Sequence, residues 1–355
     1  MKIQFLLLSF LLFILITTQL HAQSAVVPKE EWKSLSAEQR ATNGYDDDKL
    51  NEARRYFIDS TNGTGLCAVV GGRMLTSFGD IQELSYVASV RKSILAMVYG
   101  KYVNSKQINL DKTLAEMDMD DNDGLLPIER QATILDLITA RSGIYHPASN
   151  SGDNSADAPK RGSQKPGSYY LYNNWDFNAA GAAFEKETGL NIFDAVQKDL
   201  VEPLQLQDFK REIHRKSGDM RRSKYPAYHM HFSTRDLARI GLLMLRKGTW
   251  DKQQVIPSDW AQKIVEVHTP SEDMNPASLK DGEFGYGYMW WVWDGEDVPP
   301  MLEGAYCARG AWGNYITVIP KMDMVVTFKT KSVYGRRTGW QEYRRILDLL
   351  IASKP

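Results

Sequence analysis

The chain has 355 residues, 43% hydrophobic and 25% charged, which fits an ordinary folded protein with a large core, built as one big domain or a domain with an insertion. Its 43 lysines and arginines nearly balance its 44 aspartates and glutamates, and no basic stripe is visible, so nothing points to a polyanionic partner and nucleic acid is not expected. Two cysteines, Cys67 and Cys307, are too few for a disulfide framework and read as small apolar strand residues.

The chain opens on "MKIQFLLLSFLLFILITTQLHAQS". Lys2 forms a short positive region, residues 5–16 an apolar one, and Ala22 a small residue before a cut, which is the pattern of a secretory signal peptide over residues 1–22. An uncleaved membrane anchor is the competing reading, but the apolar run is shorter than the roughly 20 residues a spanning helix needs. The mature chain is therefore expected to start near Gln23, to be periplasmic or secreted, and to have no stable membrane span after cleavage. After a polar lead-in, "LCAVVGGRMLTSF" predicts a β-hairpin, with strands at 66–70 and 74–78 around Gly71 and Gly72. "SVRKSILAMVYG" predicts an apolar helix, and "ATILDLITARSGI" a second one ending near Gly143. The soft segment at 145–168, rich in Ser, Asn, Asp, Pro and Gly, reads as a long loop of the kind that often lines a site. Helical patterns follow at "NNWDFNAAGAAFEKETG", "NIFDAVQKDLVEPL", "STRDLARIGLLMLRKG" and "PSDWAQKIVEVH". Strand character returns in "FGYGYMWWVW", "GNYITVIP" and "MDMVVTFKT". The chain closes on a helix whose apolar stripe is Tyr343, Ile346, Leu347, Leu350 and Ile351. Strands, then helices, then strands and a helix imply one α+β domain over 23–355. Its antiparallel sheet comes from both chain ends (about 64–80 and 284–331), flanked by helices, with a large inserted helical region (about 85–270) and a C-terminal helix at about 339–353.

Chemistry centres on "SVRK". Ser89 opens an apolar helix and Lys92 lies three residues on, on the same face, so the hydroxyl and the amine can meet. A serine beside a poorly solvated amine is a recurring nucleophile, and a helix N-terminus supplies N–H groups for an oxyanion. Ser-x-x-Lys alone is weak, since chance gives roughly one or two in a chain of ordinary composition this long. Ser89 as a plain N-cap beside a snorkelling Lys92 is the plainer alternative. In "KPGSYYLYNNWDF", Tyr172 and Asn174 sit between the loop and the next helix. A phenol near a lysine ammonium is expected to have a lowered pKa and to take a proton from a serine, and Asn174 is placed to donate to a substrate carbonyl.

These blocks resemble the β-lactamase-related serine hydrolases, which include class C β-lactamases, penicillin-binding D-alanyl-D-alanine peptidases, family VIII esterases and 6-aminohexanoate-dimer hydrolases. "ASVRKSI" is similar to the Ser-x-x-Lys block, and "ILDLITARSGI" to L-L-x-H-T-S-G. "PGSYYLYNNWDF" is similar to P-G-x-x-x-x-Y-S-N, with Asn173 where serine is frequent. "FSTRDLARIGLLML" and "GNYITVIPKMDMVVTFKT" resemble the later blocks. The resemblance implies a β-lactamase/transpeptidase-like fold and hydrolysis of a small ester, amide or peptide without metal or cofactor. Ser89 would be acylated, Lys92 and Tyr172 would share acid and base work, Asn174 would hold substrate, and the Ser89 N–H with one from the edge strand would form the oxyanion hole. One block departs. Relatives carry Lys-Thr-Gly or His-x-Gly on the strand lining the cleft, whereas this chain reads "GAYCARGAWGN", with Ala305 or Ala308 at the basic position and Arg309-Gly310 nearby as substrate-binding candidates. Arg337-Thr338-Gly339, beyond the last strand, reads as a decoy. The pattern is closest to the esterases and 6-aminohexanoate-dimer hydrolases; a β-lactamase, a D-alanyl-D-alanine carboxypeptidase and an inactive penicillin-binding-like protein are the alternatives. Among other candidates, Tyr145 and His146 follow "RSGI" and could enter the cleft. His229 and His231 lack a third metal ligand and read as filler. "MDMDDNDG" fails the EF-hand spacing, and the aromatics at 286–293 read as core or as the wall of an acyl pocket.

Overall fold

The computed structural model describes residues 26–354, so the signal-peptide reading lies outside the described residues. Seven strands form one antiparallel sheet: β1 (Gly65–Val70), β2 (Arg73–Gly79), β3 (Phe284–Tyr286), β4 (Trp291–Trp293), β5 (Tyr306–Gly310), β6 (Asn314–Ile319) and β7 (Met324–Lys329). Their order is β2-β1-β7-β6-β5-β4-β3. The β1–β7 pairing, with Cys67 opposite Thr327, joins the two ends of the chain.

Alternation along the strands sends side chains to two cores. Leu66 and Ala68 of β1, with Val326 and Phe328 of β7, face a layer made by α1 (Asp47–Ser60) and α5 (Trp340–Ala352). Cys67 and Val69 face the opposite layer, where α2 (Val90–Asn104), α3 (Asn174–Thr188) and α4 (Thr234–Leu245) lie. Cys307 belongs to the first core and Cys67 to the second, with two strands between β1 and β5, so both thiols are free and buried. Burial pushes the Cys307 thiol up to about 12, which makes it unreactive. Helix α2 is buried nearly all round, as its unbroken apolar run requires, and its Ser93 hydroxyl donates to the Met289 carbonyl at 2.6 Å, tying it to the β3–β4 turn.

Three elements differ from the sequence expectation. The helix expected through Gly143 stops at Ile138, because Ala140 and Gly143 take positive φ (58° and 70°) and turn the chain toward the site. "FGYGYMWWVW" is two strands, broken where Met289 adopts φ 59°. Helix α1, within what read as a polar lead-in, packs through Leu50, Ala53 and Phe57. Among the described residues no helix is long and apolar enough to cross a membrane.

Candidate active site

The segment before Ser89 is held from outside the main sheet. Ser85–Tyr86 pairs with His231–Phe232, and the Val87 N–H donates to the Met230 carbonyl at 3.1 Å. The chain then turns at Ala88, whose φ of 48° is a left-handed conformation that costs a non-glycine residue roughly 1 kcal/mol or more. That turn delivers Ser89 to the N-cap of α2. Its hydroxyl makes no capping hydrogen bond, and the residue borders a cleft of about 1010 Å³.

Lys92 lies one turn further in and is 1% exposed. Its Nζ is 2.6 Å from the Tyr172 hydroxyl and 2.7 Å from Asn174 Oδ1, and the rings of Tyr172 and Phe177 cover it at 4.1 and 4.2 Å. Burial, then the charge of Arg91, push the amine well below the usual lysine range, with Asp153 pulling the other way. Burial also pushes the Tyr172 phenol up to about 12, against the Ser89 hydroxyl, Arg91 and Arg309. The expectation of a phenol lowered by an ammonium is thus corrected: burial disfavours the charged form of both groups.

The Asn174 Nδ2 donates to the Ser151 carbonyl at 3.0 Å and its backbone N–H to Asp153 Oδ2 at 2.7 Å, while Oδ1 accepts from Lys92. Asn174 therefore ties the cleft loop to the lysine, with one of its two amide protons engaged by that loop. Asn173 caps α3 through Oδ1 to the Trp175 N–H, the work a serine would do there.

Across the cleft, β4 pairs with β5 only at Tyr306 and Cys307, leaving the β4 side of residues 308–310 unpaired. A Cβ on Gly310 would stand 2.5 Å from the Val87 carbonyl oxygen and 3.2 Å from the Ser89 nitrogen, so only glycine lets the strand approach this closely. With Gly310 against Ser89, the basic position two residues earlier is Ala308, buried in the core, which settles the choice between Ala305 and Ala308. Arg309 leaves the opposite face, where the rings of Trp340, Phe284 and Trp291 hold its guanidinium at 4.4, 4.7 and 4.8 Å, yet it still borders the cleft.

Residues 337–339, read as a decoy, also line this cleft. The Thr338 N–H donates to the Trp312 carbonyl and its hydroxyl accepts from Thr330, which folds the post-β7 loop back onto the rim. Asp153, Trp312, Tyr315 and Trp340 complete the wall without having been singled out. Only Trp291 carried a signal, through the aromatic run. Tyr145 does not line the cleft: its buried hydroxyl lies near Asp176 and Tyr169 without a hydrogen-bond partner. His146 is held between the Asn122 and Pro147 carbonyls, and His229 and His231 pack on the Tyr86 ring at 4.7 and 5.7 Å. Asp120 and Asp121 of the acidic loop cap backbone N–H groups and hold Arg130 and Trp175, and no metal-ligand cluster occurs among the described residues. A second cavity, of about 1070 Å³, lies between residues 26–33 and the turn at 249–252 and is lined by no serine, cysteine, histidine or tyrosine.

A sheet assembled from both chain ends, with a helical region set against it, is the architecture of the β-lactamase/transpeptidase fold. The sequence matches the β-lactamase family over residues 57–350, and the chain belongs to that family of serine hydrolases. Solved structures share the fold. A Bacillus anthracis protein assigned as a 6-aminohexanoate-dimer hydrolase is 16% identical, with a TM-score of 0.63 over 84% of this chain and 80% of that one. A β-lactamase from Mycobacterium bovis is 17% identical, with a TM-score of 0.62 over 86% and 100%. EstCE1, a hydrolase with promiscuous acyltransferase activity, is 15% identical, with a TM-score of 0.60 over 86% and 98%. No curated protein sequence matches the chain.

Proposed function

We propose that the protein is an exported serine hydrolase that cleaves an ester or amide through an acyl-enzyme on Ser89. The observation that carries this reading is the buried Lys92 amine, 2.6 Å from the Tyr172 hydroxyl and one helical turn from Ser89. The Ser89 oxygen attacks the carbonyl carbon, and its proton passes to the Lys92 amine, directly or through Tyr172. The tetrahedral oxyanion faces the Ser89 N–H and the unpaired edge of β5 at Gly310. Collapse breaks the bond to the alcohol or amine, which leaves with the stored proton, and water attacks the acyl-serine by the reverse transfers. A complete set of Ser89, Lys92 and Tyr172 supports an active enzyme over an inactive binding protein.

Arg309 and Arg337 at the cleft favour a second reading, hydrolysis of a carboxylate-bearing β-lactam or cell-wall peptide. The two separate by substrate. With Ala308 at the basic strand position, a charged hydrogen bond contributing roughly 1.5–3 kcal/mol to a carboxylate is missing, while a neutral ester loses nothing. The expected result is a kcat/KM for p-nitrophenyl butyrate well above that for nitrocefin. A nitrocefin preference that falls selectively in Arg309→Ala would establish the second reading instead. Export is part of the proposal: the N-terminus of protein made in a Gram-negative host is expected near Gln23, and an intact Met1 on membrane-bound protein would refute it.

A further inference from the structure

Helix α2 buries a second cation beside the lysine. Arg91 is 1% exposed. Its Nη2 donates to Asn178 Oδ1 at 3.2 Å and its guanidinium lies 4.3 Å over the Tyr228 ring, while Nε and Nη1 have no acceptor. None of its nitrogens hydrogen-bonds a carboxylate. Burying a guanidinium without an anion is costly, and packing against Tyr228 and Asn178 would be served as well by a neutral side chain of similar length. The charge therefore needs a use. It lies next to Lys92 in the chain, and the position on β5 where relatives place a cation holds Ala308. We infer that Arg91 is a positioning residue for the reaction: its uncompensated buried charge, one residue before Lys92, holds the Lys92 amine in its proton-accepting form.

This inference rests on the reading of Lys92 as the base. Tyr172, Asn174 and Phe177 approach the amine from the start of α3, and Ser89 and Arg91 share α2. Asp153 acts from the cleft loop and favours protonation, whereas Arg91 opposes it. Arg309 of β5 acts on the phenol of Tyr172. With Arg91 neutralised, Asp153 is the charge left acting on Lys92, and the amine takes up its proton at a higher pH.

The test is the pH dependence of the second-order rate at which a fluorophosphonate probe modifies Ser89 in the mature protein. In that step the serine oxygen bonds phosphorus, the P–F bond breaks with loss of fluoride, and the serine proton goes to Lys92. The rate is expected to rise with pH along an acidic limb to a plateau. Arg91→Met should move that limb to higher pH, so that the rate on the limb falls on the order of tenfold while the plateau is kept. Arg91→Gln, which can keep the Asn178 contact, should do the same, and Arg91→Lys should leave the limb in place. A limb at the wild-type position in both neutral variants, with any loss equal at all pH values, would show a packing role and overturn the inference. A wild-type protein with no acidic limb removes Lys92 as the base, and the inference with it. Circular dichroism identifies a variant that has not folded, and the other neutral variant then decides.

Discussion

Lys92 and Tyr172 share a space too dry to hold a charge cheaply, and burial disfavours the charged form of each. The amine needs deprotonation to act, so activity should rise with pH through its depressed pKa. The phenol, at about 12, should add no falling limb in the accessible range. Lys92→Met and Tyr172→Phe are each expected to lower kcat/KM by about 10³-fold or more. The double variant should lose little beyond either single one, because the two act as one transfer path. Steady-state kinetics on an ester checks this, and additive losses would mean that the residues work separately. The placement of Lys92 one turn beyond Ser89 was legible in the sequence because a spacing of three on a helix is local geometry, whereas the partners of its amine, Tyr172 and Asn174, come from around the start of another helix. The work of Asn174 was not legible, since its amide is oriented by Ser151 and Asp153, in a loop whose path no periodicity encodes. The surroundings of Tyr145 were hidden in the same way: its hydroxyl is buried near Asp176 and Tyr169, not on the cleft wall.

Two elements meet at Ser89, and each is shaped by a backbone feature. The left-handed Ala88 sets the angle at which α2 starts, and the bare Gly310 lets β5 approach the Ser89 nitrogen. In Gly310→Ala the new methyl collides with the Val87 carbonyl, so the strand must retreat. A displacement on the order of 1 Å is expected to cost roughly 10²-fold in kcat, with KM changing less, since the oxyanion position moves more than the cleft wall does. Unchanged kcat in that variant would place the oxyanion donors elsewhere. The β1–β2 hairpin and the helices α2 to α5 could be read from their periods and punctuation. The β3–β4 hairpin could not, because an unbroken aromatic run hides the turn at Met289. Helix α1 carried a weak signal in Leu50, Ala53 and Phe57, diluted by the charged residues between them. That the 337–339 turn lines the cleft rim was not legible, because lying after the last strand says nothing about where a loop returns.

Across the whole molecule, the site exists only when distant parts of the chain meet. Ser89 and Lys92 come from the start of the helical insertion and Tyr172 from its middle. The facing strand and the rim loop come from the last 50 residues. The pairing of β1 with β7 closes this arrangement, and 65 positions of the second core, from Cys67 to Val325, pack the insertion against the sheet. The order of strands and helices along the sequence was enough to foresee that closure; the shape of the cleft, which depends on the Trp291, Trp312, Tyr315 and Trp340 side chains meeting Arg309, was not. The central claim is a covalent acyl-enzyme on Ser89. Its most direct test is mass spectrometry of protein quenched during turnover of p-nitrophenyl butyrate, followed by peptide mapping. The account predicts a butyryl adduct on the peptide that contains Ser89, with no adduct and no turnover in a folded Ser89→Ala variant. An adduct on another residue, or near-wild-type hydrolysis by Ser89→Ala, would contradict it.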